Sequence, residues 1–149
     1  IASAVGASYL SPNTNLLIVD AGSAITYDFV SAEQGFLGGN IAPGMKMRLT
    51  ALNQMTKKLP LVEVEENAFR PLFGKNTREA IAVGVVRGIV FEVKGYMRSL
   101  KDQKTSFTTY ITGGHAPYIL DAMKRQEVIG EPHLVLIGLN RILEYNTNN

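Results

Sequence analysis

Three strand-like segments follow one another within residues 16–41, and this succession constrains the fold more than any other feature. Residues 16–19 form a continuous apolar run that ends in Asp20, which is typical of a strand buried on both faces. Residues 24–30 alternate between apolar and polar, which predicts a half-buried strand, and residues 35–41 resemble a third strand. Because only a few residues separate the three segments, they predict an antiparallel meander.

Helical patterns dominate after Pro43-Gly44. Apolar residues recur at helical spacing up to Pro60, and a longer helix follows Gly74, where Asn76 and Glu79 form a capping box. The other predicted elements are the end of a helix in residues 1–10, a short strand over 61–65, a strand over 108–112, a helix from Ala116 to about Arg125, a strand over 133–136 and a helix over 139–145. This order predicts an α/β fold, in which a mixed sheet starts with a three-strand antiparallel meander and has helices on its faces.

Composition excludes several classes of function. The chain has 149 residues, 46% of them hydrophobic, which is enough for one globular domain with a buried core. It contains no cysteine, which excludes disulfides, thiolate metal sites and a cysteine nucleophile. A net charge of +2 gives no reason to expect nucleic-acid binding, and no apolar run reaches the ~18 residues of a membrane span. We therefore expect neither nucleic acid nor a membrane as a partner.

The segment Asp20-Ala21-Gly22-Ser23 lies where the first strand turns into the second. An acid ends a buried strand, a glycine permits close approach of another backbone, and a hydroxyl follows. Such a hairpin can present N–H groups and a hydroxyl to a phosphate while the acid holds a cation nearby. The same residue types are common in ordinary turns, so a plain hairpin is the alternative interpretation.

Two further glycine-rich segments precede helices. Residues 38–44 would let a ligand or another subunit approach the backbone, or would simply connect a strand to a helix. Thr112-Gly113-Gly114 places a double glycine just before a helix, which suits a nucleotide or a tight turn. The adjacent His115 is more typical of a surface or capping residue than of a ligand or a base.

A fourth segment, residues 74–77, has the sequence Gly-Lys-Asn-Thr and resembles half of a phosphate loop. The complete P-loop pattern requires a second glycine at position 69, which is Phe69 here, so this class is rejected. The capped start of a helix is the simpler interpretation.

Taken in order, these segments resemble type III pantothenate kinase, a family of the actin-like ATPase superfamily. The matching stretches are residues 20–28, 38–44, 56–60, 74–77, 112–116 and 136–139. The resemblance implies a ribonuclease-H-like domain whose sheet starts with three antiparallel strands. It also implies ATP-dependent phosphorylation of pantothenate, the first committed step of coenzyme A synthesis, by a cytoplasmic homodimer.

The resemblance also assigns roles to single residues. It implies Mg-bound ATP as the phosphate donor and a monovalent cation, K⁺ or NH₄⁺, as a cofactor. The residues implied are Asp20 for the cation, Gly22, Ser23 and Ala24 for the ATP phosphates, Gly113 and Gly114 near the adenosine, and Thr77 for pantothenate at the dimer interface. Ser23 stands where the family usually has threonine, a change that keeps the hydroxyl.

Two motifs of the family do not occur in residues 1–149: its first phosphate loop, and the Gly-x-Asp-Arg stretch whose Asp is the catalytic base. We therefore expect residues 1–149 to be the C-terminal lobe of a two-lobed kinase, with the N-terminal lobe absent and without turnover of its own. Relatives described as accessory factors for transcription share the fold, so a regulatory protein with a degenerate kinase site is the alternative. Another actin-fold kinase or phosphatase fits the motifs less well.

Overall fold

The computed structural model describes residues 1–66, 71–123 and 128–148. Within these residues the chain forms a five-stranded sheet with helices on its faces. In chain order the elements are α1 (Ala2–Leu10), β1 (Leu16–Ala21), β2 (Ala24–Ser31), β3 (Gly35–Pro43), α2 (Met45–Gln54), α3 (Thr77–Asp102), β4 (Thr108–Thr112), α4 (Ala116–Met123), β5 (Ile129–Gly130) and α5 (Leu134–Thr147).

The sheet has the strand order β3-β2-β1-β4-β5, so the later strands are added beside β1. β1 pairs antiparallel with β2, and β2 pairs antiparallel with β3, which confirms the predicted meander. β1 pairs in parallel with β4, and β4 with β5, through connections that contain helices. The mixed sheet confirms the predicted fold class, the ribonuclease-H-like arrangement of actin-like ATPases.

The central strand β1 is buried on both faces, as its apolar run predicts. Leu17 and Val19 pack into a larger core beneath α2, α3 and α4. Leu16 and Ile18 point to the opposite face and pack into a smaller core beneath α1 and α5. Each fully buried aliphatic side chain of this kind stabilises the fold by about 1.5–3 kcal/mol, so β1 is the strand on which both layers of helices depend.

The long helix α3 covers the larger core with the predicted apolar stripe. Val86, Ile89 and Val93 are completely buried, while the other three stripe residues are partly buried against the same core. At the N-terminus the Asn76 carboxamide oxygen accepts a hydrogen bond from the Glu79 N–H at 3.0 Å. The Glu79 carboxylate accepts from the N–H of Lys75, one residue before the cap, so the predicted capping box forms in a shifted version.

The predicted strand over 133–136 is wrong. His133 is the N-cap of α5, and the apolar run that follows belongs to the helix. Leu134 is completely buried under α1, whereas Leu136 is 63% exposed, which is the one-sided burial of a surface helix. A short apolar run has no periodicity that separates a buried strand from a helix, and here the helix prevails. The last strand is instead β5, only two residues long.

Two other predicted elements differ from the structure. The helix after Gly44 ends at Gln54, well before Pro60, because the next residue, Met55, is exposed and has no core to join. Residues 61–65 form no strand, although Val62 is buried in the larger core. The helix that starts at Ala116 is described only to Met123, and its predicted end lies outside the described residues.

Helices α1 and α5 contact each other through their main chains. A Cβ atom at Gly6 would lie 2.2 Å from the Leu134 carbonyl oxygen, and one at Gly138 would lie 1.8 Å from the Ala2 carbonyl oxygen. Both distances are far below van der Waals contact, so each helix must have a glycine at the crossing. This contact closes the smaller core.

We predict that Gly138→Ala lowers the free energy of unfolding by about 1–3 kcal/mol, as overpacking does, because the new methyl group meets a main-chain oxygen. Gly95→Ala is the matched control, since Gly95 lies on α3 with no atom within 4 Å of the added Cβ. It should leave stability unchanged or raise it by up to about 1 kcal/mol. Chemical denaturation measures both, and equal stability of the two variants would contradict the close helix crossing.

Candidate functional site

Three glycine-bearing turns that are distant in sequence meet at one end of the sheet. The β1–β2 turn, Gly22-Ser23, lies between Gly44 at the start of α2 and Gly113-Gly114 at the end of β4. A Cβ at Gly44 would lie 2.1 Å from the Ser23 carbonyl oxygen, and one at Gly113 would lie 2.6 Å from the Ala21 carbonyl carbon. We call Gly22, Ser23, Gly44, Gly113 and Gly114 the glycine-turn site. It lies beyond the carboxyl ends of the parallel strands β1 and β4, where α/β folds bind ligands.

The two glycines of the β4–α4 turn have different tasks. Gly113 has φ +95°, a conformation that favours glycine, and it packs against the main chain of Ala21. Gly114 has ordinary φ, and an added Cβ would meet no atom within 4 Å. Open space over an exposed main chain is what a ligand needs for close approach, so Gly114 is the member of the pair that can contact one.

A row of oxygen-bearing side chains crosses the sheet next to this site. Asp20 pairs with Thr26 on β2 and with Thr112 on β4, so the three side chains point to the same face. Thr112 is 1% exposed, and its hydroxyl has no hydrogen-bond partner in the described structure. A buried hydroxyl without a partner is unfavourable by about 1–3 kcal/mol, and the Thr109 hydroxyl, in register with Leu17, is the other one of this kind in the described residues.

Asp20 is in an environment that opposes its negative charge. Burial raises the pKa of Asp20 above its ordinary value, and the nearby carboxylate of Asp28 raises it further. Asp28 is buried beside Gly39, where an added Cβ would lie 2.1 Å from an Asp28 carboxylate oxygen. Of the Gly38-Gly39 pair predicted for ligand or subunit contact, Gly39 therefore makes room for Asp28, whereas a Cβ at Gly38 would meet no atom within 4 Å.

The oxygen row fits a weakly held monovalent cation better than a transition metal. In the described residues no three His, Asp or Glu side chains are grouped closely enough to hold a metal ion. One carboxylate with neighbouring hydroxyls is a hard, oxygen-only donor set of low charge. A cation there would offset the charge of Asp20 and give the Thr112 hydroxyl a partner.

The start of α2 is held by an ion pair that the sequence analysis missed. The Arg48 guanidinium donates two hydrogen bonds to Glu92 on α3, at 2.7 and 2.8 Å, and its Nε donates to the Pro43 carbonyl at 2.7 Å. The Tyr27 hydroxyl donates to the same Glu92 carboxylate at 2.8 Å. The hydrogen bond from Arg48 lowers the pKa of Glu92, since it stabilises the charged form. No local pattern signals the pair, because its partners are separated by 44 residues.

Thr77 lies apart from these turns, in the first turn of α3. It lines a cavity of about 780 Å³ between α2 and α3, together with apolar residues such as Leu52, Leu59 and Ile81. The structure therefore assigns the predicted phosphate and pantothenate residues to two different places on this chain. Ala24, the remaining predicted phosphate residue, is the first residue of β2 directly after Ser23.

Two smaller cavities flank the glycine-turn site. One of about 550 Å³ is lined by Thr112, Gly114, Pro117 and Glu131. The other, of about 290 Å³, is lined by polar groups of Lys46, Thr50, Glu63 and His115 above an apolar floor. His115 thus lies between the turn and a cavity, which the sequence alone did not reveal.

We predict that Gly113→Ala and Gly114→Ala differ sharply in stability. Gly113→Ala should lower the melting temperature by several degrees, because the residue has positive φ and its Cβ would collide with Ala21. Gly114→Ala should melt within a degree or so of the parent protein, since its Cβ points into open space. Thermal unfolding followed by circular dichroism measures the pair, and a large loss in Gly114→Ala would contradict the described turn.

A second prediction concerns Asp20 and pH. The folded-state pKa of Asp20 is raised, so Asp20 stabilises the fold when the pH is below its ordinary pKa of 3.8. This stabilisation is lost as the pH rises through the folded-state pKa. In buffer without K⁺ or NH₄⁺, Asp20→Asn should therefore melt above the parent protein near about pH 7, with the gap closing in acid.

The control for this experiment is Asp102→Asn, which removes an exposed carboxylate on α3. Its melting temperature should follow that of the parent protein at every pH. A melting temperature of Asp20→Asn equal to or below that of the parent across the pH range would contradict the unfavourable environment assigned to Asp20.

The fold and the glycine-turn site together define a domain of the actin-like ATPase class. The type III pantothenate kinase family model matches residues 1–99. Type III pantothenate kinases from Phocaeicola vulgatus and Porphyromonas gingivalis are 41% and 44% identical over 146 and 149 residues, respectively. The chain belongs to the type III pantothenate kinase family.

The matches cover nearly all of this chain but only part of its relatives. Each alignment includes 98% of this chain and 59% or 60% of the relative, so the chain spans about three fifths of their length. A solved structure of a conserved protein from Campylobacter jejuni, assigned to the Baf family of transcriptional activators, matches with a TM-score of 0.61 and 26% identity. That match covers 99% of this chain and 65% of the Campylobacter chain.

None of the helices in the described parts of the chain is both long enough and apolar enough to cross a membrane.

Proposed function

We propose that the whole protein transfers the γ-phosphate of ATP to pantothenate, and that residues 1–149 supply the C-terminal lobe of a two-lobed kinase. The observation that carries the proposal is the glycine-turn site, where the predicted phosphate and adenosine residues lie side by side in a member of this family. The catalytic Asp that the family resemblance implies would come from the other lobe. Cytoplasmic location is part of the same proposal.

The phosphate end of Mg-bound ATP would lie against the Gly22-Ser23 turn. The turn offers main-chain N–H groups and the Ser23 hydroxyl, and it is held in place by Gly44 and Gly113. Donors fixed in advance stabilise a transferring phosphoryl group without reorganisation during the reaction. The pantothenate hydroxyl would attack in line, so the contribution of this chain is orientation and charge stabilisation.

Asp20 is the residue that would hold the monovalent cation. Its carboxylate is beside the turn, and the hydroxyl of Thr112 lies in register with it on the same face. When bound, K⁺ or NH₄⁺ supplies positive charge near the phosphates. The protein itself contributes a partly buried carboxylate whose charge is unfavourable until a cation neutralises it.

Thr77 would contact pantothenate from a face that joins two copies of the chain. Met55, which lines the cavity between α2 and α3, is 85% exposed, and the same two helices also expose Phe91 (54%) and Met47 (50%). Exposed apolar surface of this extent is typical of an interface. A homodimer that covers α2 and α3 would bring this cavity into the assembly.

The second candidate function is regulatory. The match to a Campylobacter protein assigned to a family of transcriptional activators favours it, since that protein shares the fold of almost the whole chain. The environment of Asp20 beside the glycine-turn site favours the kinase, because a binding module has no need of a partly buried carboxylate in this unfavourable state.

The test is ADP release by the full gene product with and without pantothenate, in K⁺ and in K⁺-free buffer. The parent protein should release ADP only with pantothenate, and faster with K⁺. In Asp20→Asn the K⁺ stimulation of ADP release should fall by at least about tenfold, since the substitution removes the charge that attracts the cation. Asp102→Asn, which removes an exposed carboxylate, is the matched control and should behave like the parent protein.

Absence of pantothenate-dependent ADP release from the parent protein would reject the kinase and leave the regulatory function. Unchanged K⁺ dependence in Asp20→Asn, with release intact, would reject only the cation assignment.

A further inference from the structure

His115 forms hydrogen bonds with two consecutive carbonyl groups at the β1–β2 turn, those of Ala21 and Gly22. Its main-chain N–H donates to the Ala21 carbonyl at 3.0 Å, and its ring Nδ1 lies 3.3 Å from the Gly22 carbonyl oxygen. Because a carbonyl oxygen only accepts, the ring must carry its proton on Nδ1 to make the second bond. The side chain thus binds to the turn from the side of α4.

These two bonds determine where the N–H groups of the turn point. The described peptide bonds are all trans, and in a trans peptide the C=O and N–H point in opposite directions. With the carbonyls of Ala21 and Gly22 directed at His115, the N–H groups of Gly22 and Ser23 face away from it. In the described residues neither N–H donates to a main-chain carbonyl. Two successive free N–H groups on one side form an anion-binding arrangement.

We infer that His115 is a positioning residue, which aims the Gly22 and Ser23 N–H groups at the phosphates of the nucleotide. The inference rests on the proposed function, since it needs a nucleotide at the turn. The hydrogen bond to the Gly22 carbonyl also polarises the peptide and makes the Ser23 N–H a stronger donor. His115 itself does not touch the nucleotide.

The surroundings of the ring restrict how it can move. Gly44 packs against the turn, where an added Cβ would lie 2.7 Å from the same Gly22 oxygen. On α4, the ring of Tyr118 lies 6.0 Å from that of His115, centroid to centroid. Beyond them is the cavity of about 290 Å³ that Lys46 and Glu63 also line. The Gly22 oxygen therefore lies between Gly44 and Nδ1, and a side chain without a donor at the Nδ1 position leaves it unpaired.

The shape of histidine provides a matched set of variants. The side-chain N–H of asparagine can occupy the position of Nδ1, so His115→Asn keeps the donor. Glutamine places its N–H near the position of Nε2, so His115→Gln keeps polarity but moves the donor, and His115→Phe keeps a ring with no donor. The comparison separates the hydrogen bond from simple packing.

The first readout is nucleotide affinity in the full gene product. Titration with fluorescently labelled Mg-ADP should give a dissociation constant for His115→Asn within about twofold of the parent protein. His115→Gln and His115→Phe should bind about five- to tenfold more weakly, as expected for one lost hydrogen bond to a turn. In steady-state kinetics the same variants should raise the KM for ATP and leave the KM for pantothenate unchanged.

The second readout needs no nucleotide. In protein with ¹⁵N-labelled histidine, the neutral His115 ring should show the Nδ1–H tautomer, assigned by the signals that disappear in His115→Asn. His133, the other histidine of the chain, serves as internal reference.

Three outcomes would each overturn the inference. They are the Nε2–H tautomer at His115, equal effects of the Asn and Gln variants, and absence of Mg-ADP binding by the parent protein. Failure of the kinase is distinguishable: the parent protein would then bind Mg-ADP with the expected pattern across the variants but release no ADP with pantothenate.

Discussion

Direct contact between main chains at glycine positions is the constraint on which the rest of this molecule depends. At Gly44 and Gly113 the backbone of a helix start and of a strand end touches the β1–β2 turn at distances that leave no room for a Cβ. The position of the turn is therefore decided by two segments that are distant from it in sequence. Arg48 extends this arrangement, because it holds Pro43, the residue before Gly44, and anchors α2 on Glu92 of α3.

On the face of the sheet that α1 and α5 cover, close main-chain contact at glycines has a structural purpose. Gly6 and Gly138 let α1 and α5 cross with their main chains in contact, which closes the smaller core over Leu16 and Ile18. Because β1 is buried between this pair and the helices of the larger core, it has little freedom to move. The turn at its end is thus attached to a strand that is packed on both faces, which would suit the phosphate site proposed there.

Two partly buried carboxylates, Glu92 and Asp20, have opposite environments. Glu92 accepts hydrogen bonds from Arg48 and Tyr27, and these bonds lower its pKa because they stabilise the charged form. Asp20 has the opposite environment, in which burial and the charge of Asp28 raise its pKa. A carboxylate whose pKa is raised by its surroundings is a frequent feature of ligand sites. The contrast supports a bound cation at Asp20 and a purely structural part for Glu92.

The sequence by itself determined the meander, the stripe of α3 and the class of fold, because alternation, helical spacing and turn residues are local properties of the chain. It also singled out Asp20, Gly22, Ser23, Gly113 and Gly114 as candidate site residues, one motif at a time, and their roles stay predictions. Only the tertiary structure decided that these residues adjoin one another and Gly44, that Thr77 lies elsewhere, that residues 133–136 start a helix, and that Arg48 pairs with Glu92. These outcomes depend on packing between segments that are tens of residues apart in sequence. The periodicity of one segment does not indicate which distant segment will pack against it.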